Sequence, residues 1–303
     1  MSRLATSFCG IALRNPVIAA SGTFGYGLEF AKQVDLDSLG GLVVKGLSRE
    51  AIEGNPAPRL YETAAGMINS IGLQNVGVRA FVAEKLPALA KLRTAVFANV
   101  FGYQTEDYVE VARVLEDHEG LAAYELNVSC PNTKHGGIYF SSDPALLGEV
   151  VSAVKRVARR PLMVKLSPNV AAIEPLARAA EENGADALSL VNTFVALAID
   201  AHTRRSRIGA GFGGLSGPAI KPIALRLVCQ AARSVRIPVI GLGGIASGED
   251  AAEFLIAGAQ AVQVGTATFW DPQSPARIAR ELGEFLEREG IGNVKEIVGT
   301  LQM

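Results

Sequence analysis

A short Val-, Ile- and Ala-rich run, a glycine or polar turn and an amphipathic segment follow one another eight times along this chain. That repeat leaves few folds open. The apolar runs fall at 16–19, 41–44, 95–100, 123–128, 162–166, 187–191, 238–240 and 261–264. They are apolar on both faces and alternate with helices, which predicts a parallel sheet covered on both sides. Eight units in 303 residues predict an α/β fold closed into a (β/α)8 TIM barrel, with an open doubly wound sheet as the alternative. Periodicity predicts one helix ending across 155–159, one over 173–183 with Gly184 at its C-cap, and others over 220–234 and 249–257. No linker or low-complexity stretch divides the sequence, so residues 1–303 are expected to form a single domain.

Three departures from the repeat mark one face. The loop 21–27 is rich in glycine, and the segments 45–74 and 192–218 are far longer than ordinary connections. Long loops in compact domains are usually functional, so these are expected as insertions on the C-terminal, active-site face of the barrel. The segments 241–248 and Gly265-Thr266 follow the seventh and eighth runs, where barrels commonly grip phosphate with backbone N–H groups at helix starts. Tight turns that need glycine are the other explanation. A G-x-G-x-x-G run at 209–214 follows no strand and leads into no helix, which argues against a Rossmann site.

Composition removes several function classes. A formal net charge of −1 with interspersed Lys and Glu offers no basic stripe for nucleic acid. No apolar run approaches about 18 residues, so no membrane span is expected. The N-terminus lacks the apolar segment of a signal peptide, and Cys9, Cys130 and Cys229 make no disulfide framework. A cytoplasmic protein is expected. His118, His135 and His202 lack metal-ligand spacing, Phe269 and Trp270 are assigned to packing, and Cys9 and Cys229 are expected to be buried thiols.

The stretch 124–132 begins as a strand, with Tyr124, Leu126 and Val128 alternating, and ends as a loop carrying a lone thiol, with Pro131 stopping the strand. A strand end that feeds a glycine-bearing loop is where α/β barrels keep catalytic groups. Cys130 is therefore the candidate for the chemistry, although an isolated cysteine can equally be a small buried hydrophobe.

Four segments then carry a resemblance: Asn15-Pro16 with Ala20 to Gly25, Asn69 to Asn75, Leu126 to Asn132, and Gly213 to Pro218. In this order they resemble dihydroorotate dehydrogenase, nearly end to end. A thiol at 130 resembles class 1 rather than the serine of the membrane-associated class 2, and the glycine-loop and Asn69 motifs resemble the NAD-linked class 1B more than the fumarate-using class 1A. The resemblance implies an FMN barrel that oxidises (S)-dihydroorotate to orotate in pyrimidine synthesis. Cys130 would be the general base and Lys165 would support the reduced flavin. For FMN the matching positions are Ser21, Lys45, Gly46, Asn99, Asn127, Lys165, Val191, Gly217, Gly243, Gly244, Gly265 and Thr266. For the substrate they are Lys45, Asn69, Ser70, Ile71, Gly72, Leu73, Asn127, Asn192 and Thr193. Side-chain amides suit the donors and acceptors of a pyrimidine edge, and Lys45 suits its carboxylate. The resemblance also implies a partner subunit holding FAD and a [2Fe-2S] cluster, in a heterotetramer built on a homodimer. Three dispersed cysteines cannot ligate such a cluster on this chain. Two other classes stay open: a phosphosugar isomerase or lyase barrel, which would need neither Lys165 nor the thiol loop, and a non-catalytic flavin-binding subunit, which would lack Cys130.

Overall fold

The computed structural model describes residues 3–129, 140 and 142–303. A hairpin of β1 (Thr6–Phe8) and β2 (Ile11–Leu13) precedes β3 (Val17–Ala19) and β4 (Gly41–Leu47). A second hairpin, β5 (Leu60–Thr63) and β6 (Gly66–Asn69), interrupts the repeat before β7 (Ala95–Val100), β8 (Ala123–Asn127), β9 (Leu162–Lys165) and β10 (Ala187–Leu190). Four short strands follow: β11 (Phe194–Ala196), β12 (Ile199–Asp200), β13 (Arg205–Ser206) and β14 (Gly213–Ser216). The last two are β15 (Val239–Leu242) and β16 (Ala261–Val264).

Parallel pairing closes β10-β15-β16-β3-β4-β7-β8-β9 into a barrel, and its members are the eight apolar runs. The structure is thus a (β/α)8 TIM barrel. Most strand ends fall within one residue of expectation, β9 and β10 each stopping one residue short, at Lys165 and Leu190; the shifts that matter for the site are at β4, β15 and β8. β4 continues through Lys45 and Gly46 to Leu47, with a register shift against β7 between Val44 and Leu47. β15 takes in Gly241 and Leu242, so its glycine turn starts at Gly243. β8 stops at Asn127.

The helices predicted over 173–183, 220–234 and 249–257 form as α5 (Glu174–Glu182), α6 (Lys221–Ser234) and α7 (Gly248–Ile256), after α1 (Val78–Glu84), α2 (Leu86–Leu89), α3 (Thr105–Glu116) and α4 (Pro144–Lys155). α8 (Ala267–Trp270) and α9 (Ser274–Arg288) complete the set. Asp143 caps α4 by accepting from the Ala145 amide, and Ser247 with Asp250 makes a capping box at α7. No described helix is long and apolar enough to cross a membrane.

The segments 45–74 and 192–218 are more than loops. Four of their strands combine into one antiparallel sheet in the order β11-β14-β6-β5, which stands over the barrel mouth, while β12 and β13 pair separately. Asn69 opposes Gly214 in that sheet, 145 residues away in sequence. Short, glycine-rich strands with so distant a partner carry no local signal.

Two hydrophobic layers hold the barrel. One lies between strands and helices. The other fills the lower interior with one side chain from each strand (Ile18, Val43, Phe97, Ala123, Met163, Ala187, Ile240 and Ala261), sealed from below by Phe8 and Leu13 of the N-terminal hairpin.

Candidate active site

Side chains at i and i+2 of a strand share a face, so the residues two positions above the apolar layer also point into the barrel. They are Ala20, Lys45, Asn99, Glu125, Lys165, Ser189, Leu242 and Gln263. Within one step along each strand the interior changes from hydrocarbon to polar groups. A cavity of about 1100 Å³, counted with the solvent at its mouth, opens above them.

Glu125 is the anchor of this polar layer, with no exposed surface. Its Oε1 accepts from Asn99 Nδ2 at 2.7 Å and Lys165 Nζ at 3.4 Å. Its Oε2 accepts from Ser189 Oγ at 2.9 Å and Gln263 Nε2 at 2.5 Å. Lys165 is itself 6% exposed, so this contact supplies the counter-charge that a buried ammonium requires.

The rim is built from loops and from the added sheet. Asn127 Nδ2 donates to Asn99 Oδ1 at 3.3 Å, Ser129 Oγ donates to Asn127 Oδ1 at 3.2 Å, and Asn192 Nδ2 donates to Ser129 Oγ at 2.9 Å. Asn69, at the end of β6, reaches the Gly214 carbonyl at 3.3 Å. Thr266 Oγ1 donates to Ser216 Oγ at 2.8 Å, tying the end of β16 to β14. Gly243 has φ 130, and a Cβ there would stand 2.6 Å from Ala224 Cβ, so only glycine lets the turn after β15 pass between α6 and the cavity. Leu73 also takes a left-handed φ, 57, as a non-glycine residue, a conformation that the surrounding loop must enforce.

Ser21, Lys45, Gly46, Asn99, Asn127, Lys165, Val191, Gly217, Gly243, Gly244, Gly265 and Thr266 all line the cavity, as do Asn69, Ile71, Gly72, Leu73, Asn192 and Thr193. Ser70 does not. It follows the end of β6, its hydroxyl accepts from Asn55 Nδ2 at 2.7 Å, and it is buried away from the cavity. Cys130 and His135 lie outside the described residues. Phe269 and Trp270, assigned to packing, are 47% and 51% exposed, and Phe269 lines the cavity. The four-residue α8 is too short to bury both rings. Cys9 is half-buried rather than buried, and its Sγ donates to the Asp186 carbonyl at 3.1 Å. Burial pushes its thiol up to about 11, with Asp186 adding to the shift and Lys155 opposing it.

Gln263 and Glu125 were missed as site residues, although a signal existed: each is a polar residue at an inward position of an otherwise apolar run. Gln263 Oε1 and Thr23 Oγ1 are buried with no hydrogen-bond partner among the described residues, and both residues line the cavity.

Outside the cavity, carboxylates latch both ends of the barrel. Lys221 Nζ meets Asp250 Oδ1 at 2.6 Å, while Asp250 Oδ2 accepts from the Ala246 and Ser247 amides at 2.8 and 2.9 Å. Burial opposes ionisation there, but Lys221 and those amides outweigh it and hold the Asp250 carboxyl below the usual range. Glu116, at the opposite end, is treated the same way: burial raises it, and Arg159 with the amides of Arg159 and Arg160 brings it below its ordinary value.

Similarity to known proteins extends over nearly the whole chain. The family described as dihydroorotate dehydrogenase matches residues 3–286. A putative dihydroorotate dehydrogenase A (fumarate) of Solibacter usitatus is 80% identical over 300 residues, covering 99% of each chain. The catalytic subunit of dihydroorotate dehydrogenase B (NAD(+)) of Geobacter sulfurreducens is 53% identical, over 99% of this chain and 98% of that one. The crystal structure of DHODH in complex with ferulenol from Eimeria tenella has a TM-score of 0.83 and 23% identity, covering 98% of this chain and 88% of that one, which is a likeness of fold. A family match over almost the whole chain and relatives this similar leave one conclusion: the chain belongs to the dihydroorotate dehydrogenase family of FMN-dependent oxidoreductases.

Proposed function

We propose that this chain oxidises (S)-dihydroorotate to orotate in de novo pyrimidine biosynthesis, with FMN as its cofactor and Cys130 as general base. The observation that carries the reading is the convergence of Lys45, Lys165, Asn69, Asn127 and Asn192 with Gly217, Gly243, Gly244 and Gly265 on one cavity. The cavity suits FMN on its own terms. Two buried polar atoms, Gln263 Oε1 and Thr23 Oγ1, await partners, and a Cβ on Gly265 would meet nothing closer than Ala20 Cβ at 3.7 Å, so room is left beside it. Ser21, Lys45, Gly46, Asn99, Asn127, Lys165, Val191, Gly217, Gly243, Gly244, Gly265 and Thr266 are the residues that would hold it. Bound FMN supplies a hydride acceptor. Lys165 keeps a cation at the cavity floor, where it favours electron gain by the cofactor. Asn69, Ile71, Gly72, Leu73, Asn127, Asn192 and Thr193 offer donors, acceptors and packing to a flat pyrimidine, and Lys45 offers a charge to its carboxylate. Cys130 takes the proton from ring C5. A thiol of reference pKa about 8.5 is mostly protonated near neutrality, so the rate should rise with pH.

The electrons are proposed to pass to NAD+ through a partner subunit carrying FAD and [2Fe-2S], in a heterotetramer built on a dimer of this chain. Relatives named as catalytic subunits of the NAD(+) enzyme support this. So does the G-x-G-x-x-G run, which ends in strand β14 and not in a nucleotide-binding helix. A second reading, fumarate as acceptor, is favoured by the name of the Solibacter usitatus relative. One experiment addresses all parts. The purified chain should be yellow, bleach with dihydroorotate, and form almost no NADH alone. Cys130→Ser should slow bleaching by about 10²- to 10⁴-fold. Bleaching within a few fold of wild type would remove Cys130 as base, sustained NADH formation by the single chain would remove the partner, and brisk turnover with fumarate would select the second reading.

A further inference from the structure

The carboxylate of Glu125 is not among the cavity-lining groups, yet a one-way chain of hydrogen bonds starts from it. A carboxylate only accepts, and all four groups around this one are donors. Asn99 must therefore turn its Nδ2 toward Glu125, which leaves its Oδ1 to accept from Asn127 Nδ2. Asn127 then has only its Oδ1 to offer Ser129, whose oxygen accepts in turn from Asn192 Nδ2. At the far end Asn192 Oδ1 accepts from the Thr193 amide at 2.8 Å. An amide can be reversed at little steric cost, but this chain cannot reverse while its first acceptor is a carboxylate.

We propose that Glu125 is a positioning residue: it fixes the donor and acceptor direction of Asn99, Asn127, Ser129 and Asn192, and so determines which polar edge the cavity presents to a flat, amide-edged ligand. This rests on the proposed function, in which Asn127 and Asn192 face the pyrimidine. Neither Glu125 nor Ser129 lines the cavity. Glu125 also reaches it through Lys165 and Gln263, so Ser129, which bonds to neither, isolates the effect that travels through the chain.

The test is orotate binding to the FMN-loaded protein, measured by titration calorimetry, with benzoate as a flat carboxylated ring that has no polar edge. Glu125→Gln keeps the shape but can donate as well as accept. It should weaken orotate by about tenfold, the worth of one well-made hydrogen bond, and move benzoate by less than about twofold. Ser129→Ala, which cuts the same chain in the middle, should do likewise. The double variant should lose no more than the larger single loss, because two cuts in one chain do not add. Should Glu125→Gln alone fail to fold, the charge-balanced pair Glu125→Gln with Lys165→Met, compared with Lys165→Met, makes the same measurement without an uncompensated buried ammonium. Unchanged orotate affinity, losses that multiply in the double variant, or equal losses for orotate and benzoate overturn the proposal. Absence of orotate binding by the unaltered protein would instead overturn the functional reading beneath it.

Discussion

The lower and upper layers of the barrel interior use the same eight strands, two residues apart, and have opposite chemistry. The lower layer is a sealed hydrocarbon plug of Ile18, Val43, Phe97, Met163, Ile240 and three alanines, closed by Phe8 and Leu13. In the upper layer Asn99, Lys165, Ser189 and Gln263 all donate to the buried Glu125 carboxylate. The first gains from leaving water; the second loses hydration and recovers it only through mutual bonding. The contrast teaches that one barrel interior can hold a dry plug below and a polar cavity floor above, the division that the proposed function assigns to stability and to ligand recognition, although no boundary in the backbone separates them.

The largest expected effect tests the plug. Phe97→Ala removes a fully buried ring stacked 5.9 Å from Phe8, and should lower unfolding free energy by about 3–5 kcal/mol in denaturant titrations. Orotate affinity of the molecules that remain folded should stay within a few fold. A large loss of affinity per folded molecule would break the division of labour.

Asn69→Ala probes the mouth from the other side. It should weaken orotate about tenfold in equilibrium titrations while the melting temperature changes little, since Asn69 gives the fold a single long hydrogen bond to Gly214. Unchanged orotate affinity would remove Asn69 from the pocket.

The smallest expected effect sharpens the comparison by removing a false difference. The Asp250 and Glu116 carboxyls are both held below their ordinary values of 3.8 and 4.5. A lowered folded-state pKa means that stability is present in full above the ordinary value and fades as pH falls through the lower folded one. The stability gap between wild type and Asp250→Asn, or Glu116→Gln, should therefore be constant near neutrality and shrink below about pH 4. Both ends should behave alike, because these latches lie outside the interior layers. A gap that widened on acidification at either end would contradict the assignment.

Much of this was legible along the chain. The eight runs became the eight barrel strands because a strand buried on both faces must be apolar at nearly every position, whatever its neighbours are. The glycines at 217, 243, 244 and 265 and the asparagines at 69, 127 and 192 came together because barrel geometry sends every strand end to one rim. Ser70, alone among residues 69–73, does not line the cavity and instead bonds to Asn55, and a motif does not state which of its side chains turn inward.

Sequence by itself determined the order of strands and helices, the barrel and the set of chemical groups at its rim, since these follow from local periodicity and from a repeat that has one compact closure. Only the tertiary structure decided which distant segments pair and which groups share a proton. The sheet of β11, β14, β6 and β5 forms between strands too short to stand alone, and Glu125 owes its place to donors from four other strands. Hydrogen bonds reach about 3 Å, and no pattern along one chain states which remote atoms will come that close.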